Sequence, residues 1–335
     1  MNAVPPEAAP DVSVVVPVFN EQESVEPLCA ALHAVLSGLG RAYEIVLVDD
    51  GSADGTWDRL RACAQRYPRL RLIRFRRNFG QTAAMSAGFR ESRGRIVVTL
   101  DADLQNDPQD IPRLVAKIEE GFDVVSGWRR RRRDPFLNRR LPSQLANALI
   151  SKITGVRLHD YGCTLKAYRR EVLDNLHLYG EMHRFIPALA SWVGGAIAEV
   201  EVRHHPRRFG RSKYGISRTL RVVLDLMTVK FLLRYSTHPI QIFGKLGMVF
   251  GVPGVAMLLT AVLGHLSYLA FGTAFAAGLI KRPFWVITPF MLILFCIQFI
   301  SIGLLAEIQI RTYHESQSKP IYVIREIVES PPANP

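Results

Sequence analysis

The sequence predicts an α/β protein: a mostly parallel, Rossmann-like sheet followed by interfacial amphipathic helices and a two-helix transmembrane hairpin. Three observations support this. Runs of β-branched residues recur along the first part of the chain, segments with helical spacing of apolar residues separate them, and two long stretches near the C-terminus carry no charged residue. Strands that alternate with helices form parallel sheets, and uncharged apolar stretches of about 20 residues can span a bilayer.

Five short segments have the composition of strands that are buried on both faces. They read DVSVVVPVFN, EIVLVDD, RLRLIRF, RIVVTLD and FDVVSGW in chain order. Between them, apolar residues recur at helical spacing, which predicts amphipathic helices packed on the sheet. The residues that show this spacing are Val25, Leu28, Leu32, Leu36 and Leu39, then Trp57, Leu60 and Ala64, and then Ile111, Leu114, Val115 and Ile118.

Polar clusters follow four of these strands. They are Asn20-Glu21, Asp49 to Ser52, Asn78 to Gln81, and Asp101 to Asp103. Ligands of open α/β sheets bind beyond the carboxyl ends of the strands, so we expect four loops to build one site.

The segment after the last predicted strand is strongly basic. It begins with RRRRR after Trp128, which as a run favours a solvated or headgroup-facing loop in which one or two arginines contact substrate. Ser217 to Tyr235 then combines charged residues on one side with Leu, Met and Phe on the other, as in a helix that lies in the membrane interface.

The two uncharged stretches run from Leu246 to Ile280 and from Pro283 to Ala306. The short connection between the predicted spans indicates a hairpin, and the arginines before the first span place both ends in the cytoplasm. We expect a lead over 1–10 that is disordered, a cytoplasmic domain over 11–215, an interfacial helix over 216–240, a hairpin over 241–310 with spans near 246–271 and 284–306, and a cytoplasmic tail over 311–335 that adds a strand.

Charge and cysteine content exclude some classes of function. The net charge of +12 lacks the aromatic-interleaved basic face of a nucleic-acid binder, and membrane phosphates account for it better. The four cysteines show no metal-ligand or paired spacing, which fits a reducing cytoplasm. The N-terminus has no signal-peptide layout. We therefore expect a multi-pass protein of the bacterial inner membrane.

The stretch VVTLDADLQNDP contains the acidic residues that predict a metal site. Asp101 and Asp103 end a buried strand, and Gln105 can add a carbonyl oxygen. Hard oxygen ligands suit Mg²⁺ or Mn²⁺, with water and a diphosphate completing the coordination. Alone, Asp-x-Asp is also typical of an ordinary loop N-cap, but the preceding strand ends favour a nucleotide crevice in which Asp50 binds a base or ribose.

The sequence resembles the A-type family 2 glycosyltransferases through VVVPVFNE, VLVDDGSADGT, RNFGQTAA and LDADLQNDP. Within that family it is most similar to the polyprenyl-phosphate glycosyltransferases, related to dolichol-phosphate mannose synthase, through GEMHRFIPAL and HHPRRFGRSKYG. The resemblance covers nearly all of residues 12 to 325. It implies transfer of a sugar from a UDP- or GDP-sugar to a polyprenyl phosphate, with inversion, with Mg²⁺ or Mn²⁺, and at the cytoplasmic membrane face.

The resemblance also implies roles for individual residues. Asp160 and Asp103 would be catalytic, and Cys163 departs from relatives that carry a second acid there. His183 and Arg184 would either face the acceptor groove or pack beneath it, and His204 and His205 would line the rim. The nucleotide would contact Pro17, Phe19, Glu21, Asp50, Gln81, Asp101 and Ala102; the acceptor Arg129, Arg207, Ser212 and Lys213; the metal Asp101, Asp103 and Gln105.

Two other functions compete with this interpretation. A processive polysaccharide synthase shares the nucleotide half, but the sequence has no Gln-x-x-Arg-Trp segment and two spans are too few for a channel. A non-catalytic nucleotide-binding membrane scaffold would not need the acids and the acceptor-side cations together. The sugar, the nucleotide, the polyprenol length and any homo-oligomer are not determined by the sequence, although it leans towards a UDP-sugar and undecaprenyl phosphate.

Overall fold

The computed structural model describes residues 9–130, 147–148, 150–152, 154–176, 178, 182–192, 194–206, 240–272, 283–316 and 322–331. The chain forms two compact units, one of residues 1–229 with 320–335 and the other of residues 230–319. Most of the expected lead, the expected interfacial helix, and Arg207, Ser212 and Lys213 lie outside the described residues.

The first unit opens with four parallel strands whose connections are helices. Each strand is rich in Val, Ile or Leu and almost fully buried, as strands covered on both faces must be. Their bounds, with the intervening helices, are β1 Val12–Val18, α1 Val25–Ser37, β2 Tyr43–Asp49, α2 Thr56–Arg66, β3 Leu70–Phe75, α3 Gln81–Glu91 and β4 Ile96–Thr99.

Among the described residues, four more strands extend this sheet on both sides, and three more α-helices belong to the same unit. They are α4 Ile111–Glu119, β5 Val124–Trp128, β6 Lys166–Arg169, α5 Arg170–Asp174, α6 Ile186–Trp192, β7 Ile197–Glu201 and β8 Ile324–Glu329. Within the described part of the chain, the sheet has eight strands in the order β7-β5-β6-β4-β1-β2-β3-β8. Strand β6 runs antiparallel between β4 and β5, and β8 runs antiparallel to β3, so the sheet is mostly parallel as predicted.

The five predicted strands and the helices α1, α2 and α4 are confirmed, whereas the helices α3, α5 and α6 and the strands β6 and β7 were not predicted. Helix α3 has no single apolar stripe because small residues are buried around most of its circumference. Gly88 shows how closely it packs: a Cβ there would lie 2.2 Å from Cγ1 of Val15 in β1. This close approach holds the C-terminal half of α3 against the middle of β1.

The second unit consists of two long helices, α7 Ile240–Phe271 and α8 Pro283–Ser316. Their apolar stretches, Phe243–Phe271 and Pro283–Ala306, are long enough to span a membrane. Small residues allow the helices to approach, since a Cβ on Gly251 would lie 2.7 Å from Sγ of Cys296. The candidate membrane hairpin is therefore a packed pair of helices.

Candidate functional site

The loops after β1 and β2 are joined by hydrogen bonds at the carboxyl edge of the sheet. Asn20 has a left-handed backbone, with φ 50°, and its N–H donates to Oγ of Ser52 at 2.9 Å. Its side-chain Oδ1 accepts from the N–H of Ala53, also at 2.9 Å. Glu21 donates its N–H to Oγ1 of Thr56 at 2.9 Å. The predicted nucleotide residues after β1 are thus fixed to the loop that contains Asp50.

Asp50 holds the loop after β3. Its Oδ1 accepts from the N–H of Phe79 at 2.7 Å and its Oδ2 from the N–H of Gly80 at 2.9 Å. Burial raises the pKa of Asp50 to about 6, although these two bonds act against the shift. Gly51 allows the close approach: its φ is 70°, and a Cβ would lie 2.4 Å from the carbonyl carbon of Arg77.

The same loop leads to the pair of carboxylates after β4. Nε2 of Gln81, the first residue of α3, donates to Oδ1 of Asp101 at 2.8 Å. This contact joins the loop after β3 to the loop after β4. All four predicted loops are therefore linked by hydrogen bonds. Sequence reasoning placed Gln81 near the nucleotide, and the structure places it beside the first carboxylate of the predicted metal motif.

The turn at Asp101 to Gln105 concentrates negative charge and backbone strain. Burial raises the pKa of Asp101 to about 6, and the nearby carboxylate of Asp103 acts in the same direction. Leu104 adopts a φ of 61°, a rare conformation for a non-glycine residue. Oδ1 of Asp103 accepts from the N–H of Gln105 at 3.1 Å, which stabilises this turn.

This turn has the donor set that a divalent cation requires when the substrate supplies further ligands. Two carboxylates lie two residues apart, and the pKa of Asp101 is raised first by burial and then by the charge of Asp103, both of which a bound cation would offset. Among the described residues, no group of three or more His, Cys, Asp or Glu side chains forms a complete metal site. Because Asp101 and Asp103 supply two hard carboxylate ligands, they fit a divalent cation that a ligand diphosphate helps to hold.

Arg129 and Asp160 form a buried ion pair beside this turn. Nε of Arg129 donates to Oδ2 of Asp160 at 2.7 Å, and Nη2 donates to Oδ1 at 3.0 Å. The side chains are 13% and 4% exposed, respectively. The pKa of Arg129 is raised despite burial, chiefly by Cys163 and by Asp160 itself. The sequence assigned these residues separately to the acceptor and to catalysis, whereas the structure joins them.

Two further charged residues that sequence reasoning missed contact the loop that carries Asp160. Lys166 of β6 is 2% exposed, and its Nζ donates to the carbonyl oxygens of Tyr161 and Cys163. Glu199 of β7 accepts from the N–H of Asp160 at 3.1 Å. Lys166 lies in HDYGCTLKAY, the segment that contains Asp160, but sequence reasoning gave it no role; Glu199 lies in no recognisable motif.

The segment Arg203 to His205 is attached to the chain just beyond the metal motif. The carbonyl of Gln105 accepts from the N–H of His205 at 2.9 Å, and Asn106 forms an isolated β-bridge with His204. Nε2 of His205 lies 3.1 Å from Oδ2 of Asp107. The start of the predicted acceptor segment therefore lies next to the predicted donor site, and these histidines contact the loop after β4.

His183 packs beneath the site. It is 4% exposed, and its Nδ1 lies 2.7 Å from Oγ1 of Thr82 in α3. Burial lowers its pKa well below the ordinary value, and Arg184 acts in the same direction. Of the two roles that the sequence left open, the burial of His183 favours packing for this residue, and the role of Arg184 stays a prediction.

The other predicted nucleotide residues lie along the same edge. Pro17 and Phe19 occupy the end of β1 and the loop after it, where both are partly exposed. Ala102 is 3% exposed between the two carboxylates and belongs to the hydrophobic core. Its backbone, more than its methyl group, is thus the part that can meet a ligand.

Comparisons with known proteins agree on the type of domain. Residues 13–176 match the family model described as Glycosyl transferase family 2. A dodecaprenyl-phosphate galacturonate synthase of Rhizobium johnstonii is 44% identical over 326 residues, covering 95% of this chain and 93% of the relative. An undecaprenyl-phosphate 4-deoxy-4-formamido-L-arabinose transferase of Salmonella paratyphi A is 39% identical, covering 96% and 95%.

Solved structures support the fold of the first unit. The glucosyl-3-phosphoglycerate synthase of Mycobacterium tuberculosis, in complex with Mn²⁺, UDP and phosphoglyceric acid, matches with a TM-score of 0.52 at 23% identity. The match covers 67% of this chain and 79% of that chain. At this level of identity the likeness concerns the fold alone.

Proposed function

The chain belongs to glycosyl transferase family 2, in its polyprenyl-phosphate subgroup, and we propose that it transfers a sugar from a nucleotide-sugar to a polyprenyl phosphate. The observation that carries the proposal is the extent of the similarity. It covers both the sheet unit and the apolar helices in two relatives whose names specify a polyprenyl-phosphate product or substrate. Those relatives handle different sugars, so we assign no sugar to this chain.

The donor site that we propose is the crevice between the loops after β1, β2, β3 and β4. Asp101 and Asp103, with Gln105, would hold Mg²⁺ or Mn²⁺, which when bound would neutralise the leaving diphosphate. Pro17, Phe19, Glu21 and Asp50 would contact the nucleotide. Because Asp50 and Gln81 already bind neighbouring loops, they would act partly by keeping the crevice in shape for the donor.

The acceptor chemistry requires alignment more than proton removal. A polyprenyl phosphate is already anionic, so its oxygen can attack the anomeric carbon in line with the departing diphosphate, with inversion. Asp160 would orient the acceptor or stabilise positive charge that develops on the sugar. Arg129 would contribute to the acceptor site while bound to Asp160, and Arg207, Ser212 and Lys213 remain predicted phosphate contacts from the sequence.

The membrane hairpin would keep the soluble unit at the depth of lipid headgroups. Strand β8 supports a location of both ends of the hairpin on the same side of the membrane: it follows α8 in the chain yet pairs with β3, which precedes α7. An even number of membrane crossings is required to return the chain to the same sheet. The arginine-rich segment before α7 supports a cytoplasmic rather than an external sheet.

We expect single cysteines in the connection between α7 and α8 to react from outside the cell. With the native cysteines replaced, Thr273→Cys should be labelled in intact spheroplasts by a membrane-impermeant maleimide, and Ser330→Cys only after lysis. Labelling of Ser330→Cys in intact spheroplasts would contradict the proposed topology. Transfer activity of each variant serves as the control for native structure.

The proposed function itself is tested by transfer to lipid. Purified protein in detergent, with a panel of radiolabelled UDP- and GDP-sugars and undecaprenyl phosphate, should yield a labelled product that is extracted by organic solvent and released by mild acid. A processive synthase would instead yield a polymer, and a nucleotide-binding scaffold would yield no product while still binding UDP or GDP. Either of those outcomes would overturn the proposal.

A further inference from the structure

Glu199 lies in β7, the strand at one edge of the sheet, yet its side chain is only 12% exposed. It is in register with Ser126 of β5, which leads into Trp128 and Arg129. An enclosed carboxylate needs partners, because desolvating it without them is costly. Among the residues that the structure describes, the hydrogen-bond partners of Glu199 lie in the dipeptide His159-Asp160.

Both oxygens of Glu199 bind this dipeptide. Oε1 accepts from the backbone N–H of His159 at 2.9 Å and of Asp160 at 3.1 Å. Oε2 lies 2.7 Å from Nδ1 of His159. A carboxylate that binds two successive backbone N–H groups fixes the orientation of the peptide between them, and charge-assisted bonds of this kind are stronger than neutral ones.

The end of β5 holds the same dipeptide from a second direction. The rings of Trp128 and His159 stack with centroids 4.3 Å apart and an interplanar angle of 19°. Arg129, the next residue, binds the Asp160 carboxylate through two nitrogens. The backbone of Asp160 is therefore bound from β7 while its side chain is bound from β5.

We propose that Glu199 is a positioning residue for sugar transfer: by binding the backbone of His159 and Asp160, it places the Asp160 carboxylate against Arg129. This inference rests on the proposed function and adds a residue outside the predicted site. Residues 155–165 form neither helix nor strand, so the N–H groups of this segment have no sheet ladder to orient them. Glu199 supplies that orientation from a rigid strand.

The consequence for catalysis is geometric. Without Glu199 the two N–H groups can turn to water, and the dipeptide can shift relative to β5. A displacement of about 1 Å at a reacting centre can cost about a hundredfold in rate. The donor crevice is built by the loops after β1 to β4, so nucleotide binding should be unaffected.

Two substitutions distinguish the position of the Glu199 oxygens from the negative charge of the side chain. Glu199→Gln keeps the carbonyl oxygen that can accept from both N–H groups, and its amide can donate to an unprotonated Nδ1 of His159. Glu199→Asp keeps the charge but withdraws the oxygens by about 1.5 Å, the length of one carbon–carbon bond. We expect the Gln variant to retain kcat within about threefold and the Asp variant to lose roughly ten- to a hundredfold, with the donor KM of both within about twofold.

Glu201→Gln is the matched control. Glu201 lies two residues further along β7, is 43% exposed and pairs with Arg130 at 3.5 Å, so its loss should leave kcat unchanged. Thermal unfolding in detergent and calorimetric UDP or GDP binding establish that each variant is folded. An active Asp variant with an impaired Gln variant would overturn the positioning role in favour of charge, and wild-type kcat in both would overturn it altogether. Failure of the proposed function would appear separately, as no lipid product from the wild type.

Discussion

Asp103→Asn is expected to lower sugar transfer by roughly a hundred- to a thousandfold while the protein remains folded. The variant would hold the proposed cation less well, and that cation would stabilise the negative charge that develops on the leaving diphosphate; effects of this size are typical when such stabilisation is lost. Asparagine is preferable to alanine, because its Oδ1 can still accept from the N–H of Gln105 and maintain the strained turn at Leu104. The measurement is the rate of lipid-linked product formation at saturating donor and acceptor.

Metal dependence gives this prediction a second readout. We expect EDTA to abolish transfer by the wild type and Mg²⁺ or Mn²⁺ to restore it, and the Asp103→Asn variant to need more metal for its residual rate. Asp174→Asn provides a control carboxylate, since Asp174 is 61% exposed and only 3.9 Å from its partner Arg170. Full activity in EDTA would refute the metal assignment, and a normal rate in Asp103→Asn would refute the role of Asp103.

Asp160→Asn is expected to lower kcat by about a hundredfold or more without weakening the binding of the acceptor. The carboxylate accepts hydrogen bonds of 2.7 and 3.0 Å from the Arg129 guanidinium. An incoming phosphate therefore meets a cation that is already bound to an anion. Removing the negative charge leaves Arg129 more available to that phosphate. The acceptor KM should therefore stay constant or fall while kcat falls, a split that separates catalysis from acceptor binding.

A double-mutant cycle tests whether the ion pair acts as a unit. Asp160→Asn leaves a buried guanidinium with less compensation, and breaking one side of a buried pair typically costs about 3 to 5 kcal/mol of stability. Combining it with Arg129→Gln removes both charges, so the double variant should be no less stable than Asp160→Asn alone. Additive losses in the double variant would contradict coupling, and an unchanged kcat in Asp160→Asn would refute a catalytic role for Asp160.

The loops that form the proposed donor site could be placed from the sequence because the information that defines them is local. The run VVVPV predicts a buried strand, and the polar residues that follow it must lie at that strand's carboxyl end. The same reasoning placed Asp50 and Asp101 at one edge, because parallel strands end on the same side of a sheet. Prediction failed at α3, where residues such as Ala84 and Gly88 are buried on several sides and leave no stripe of helical period.

The sequence by itself determined the strands β1 to β5 with the helices α1, α2 and α4, the presence of two apolar segments that can span a membrane, and the carboxylates at strand ends. These are properties of hydrophobic period and of segment length, which a few neighbouring residues define. Only the tertiary structure decided which charged groups are partners. Asp160 meets Arg129 across 31 residues of chain and Glu199 across 39. Such partnerships depend on ångström-scale distances set by the insertion of β6 between β4 and β5 and by the pairing of β7 with β5, and no local pattern encodes those distances.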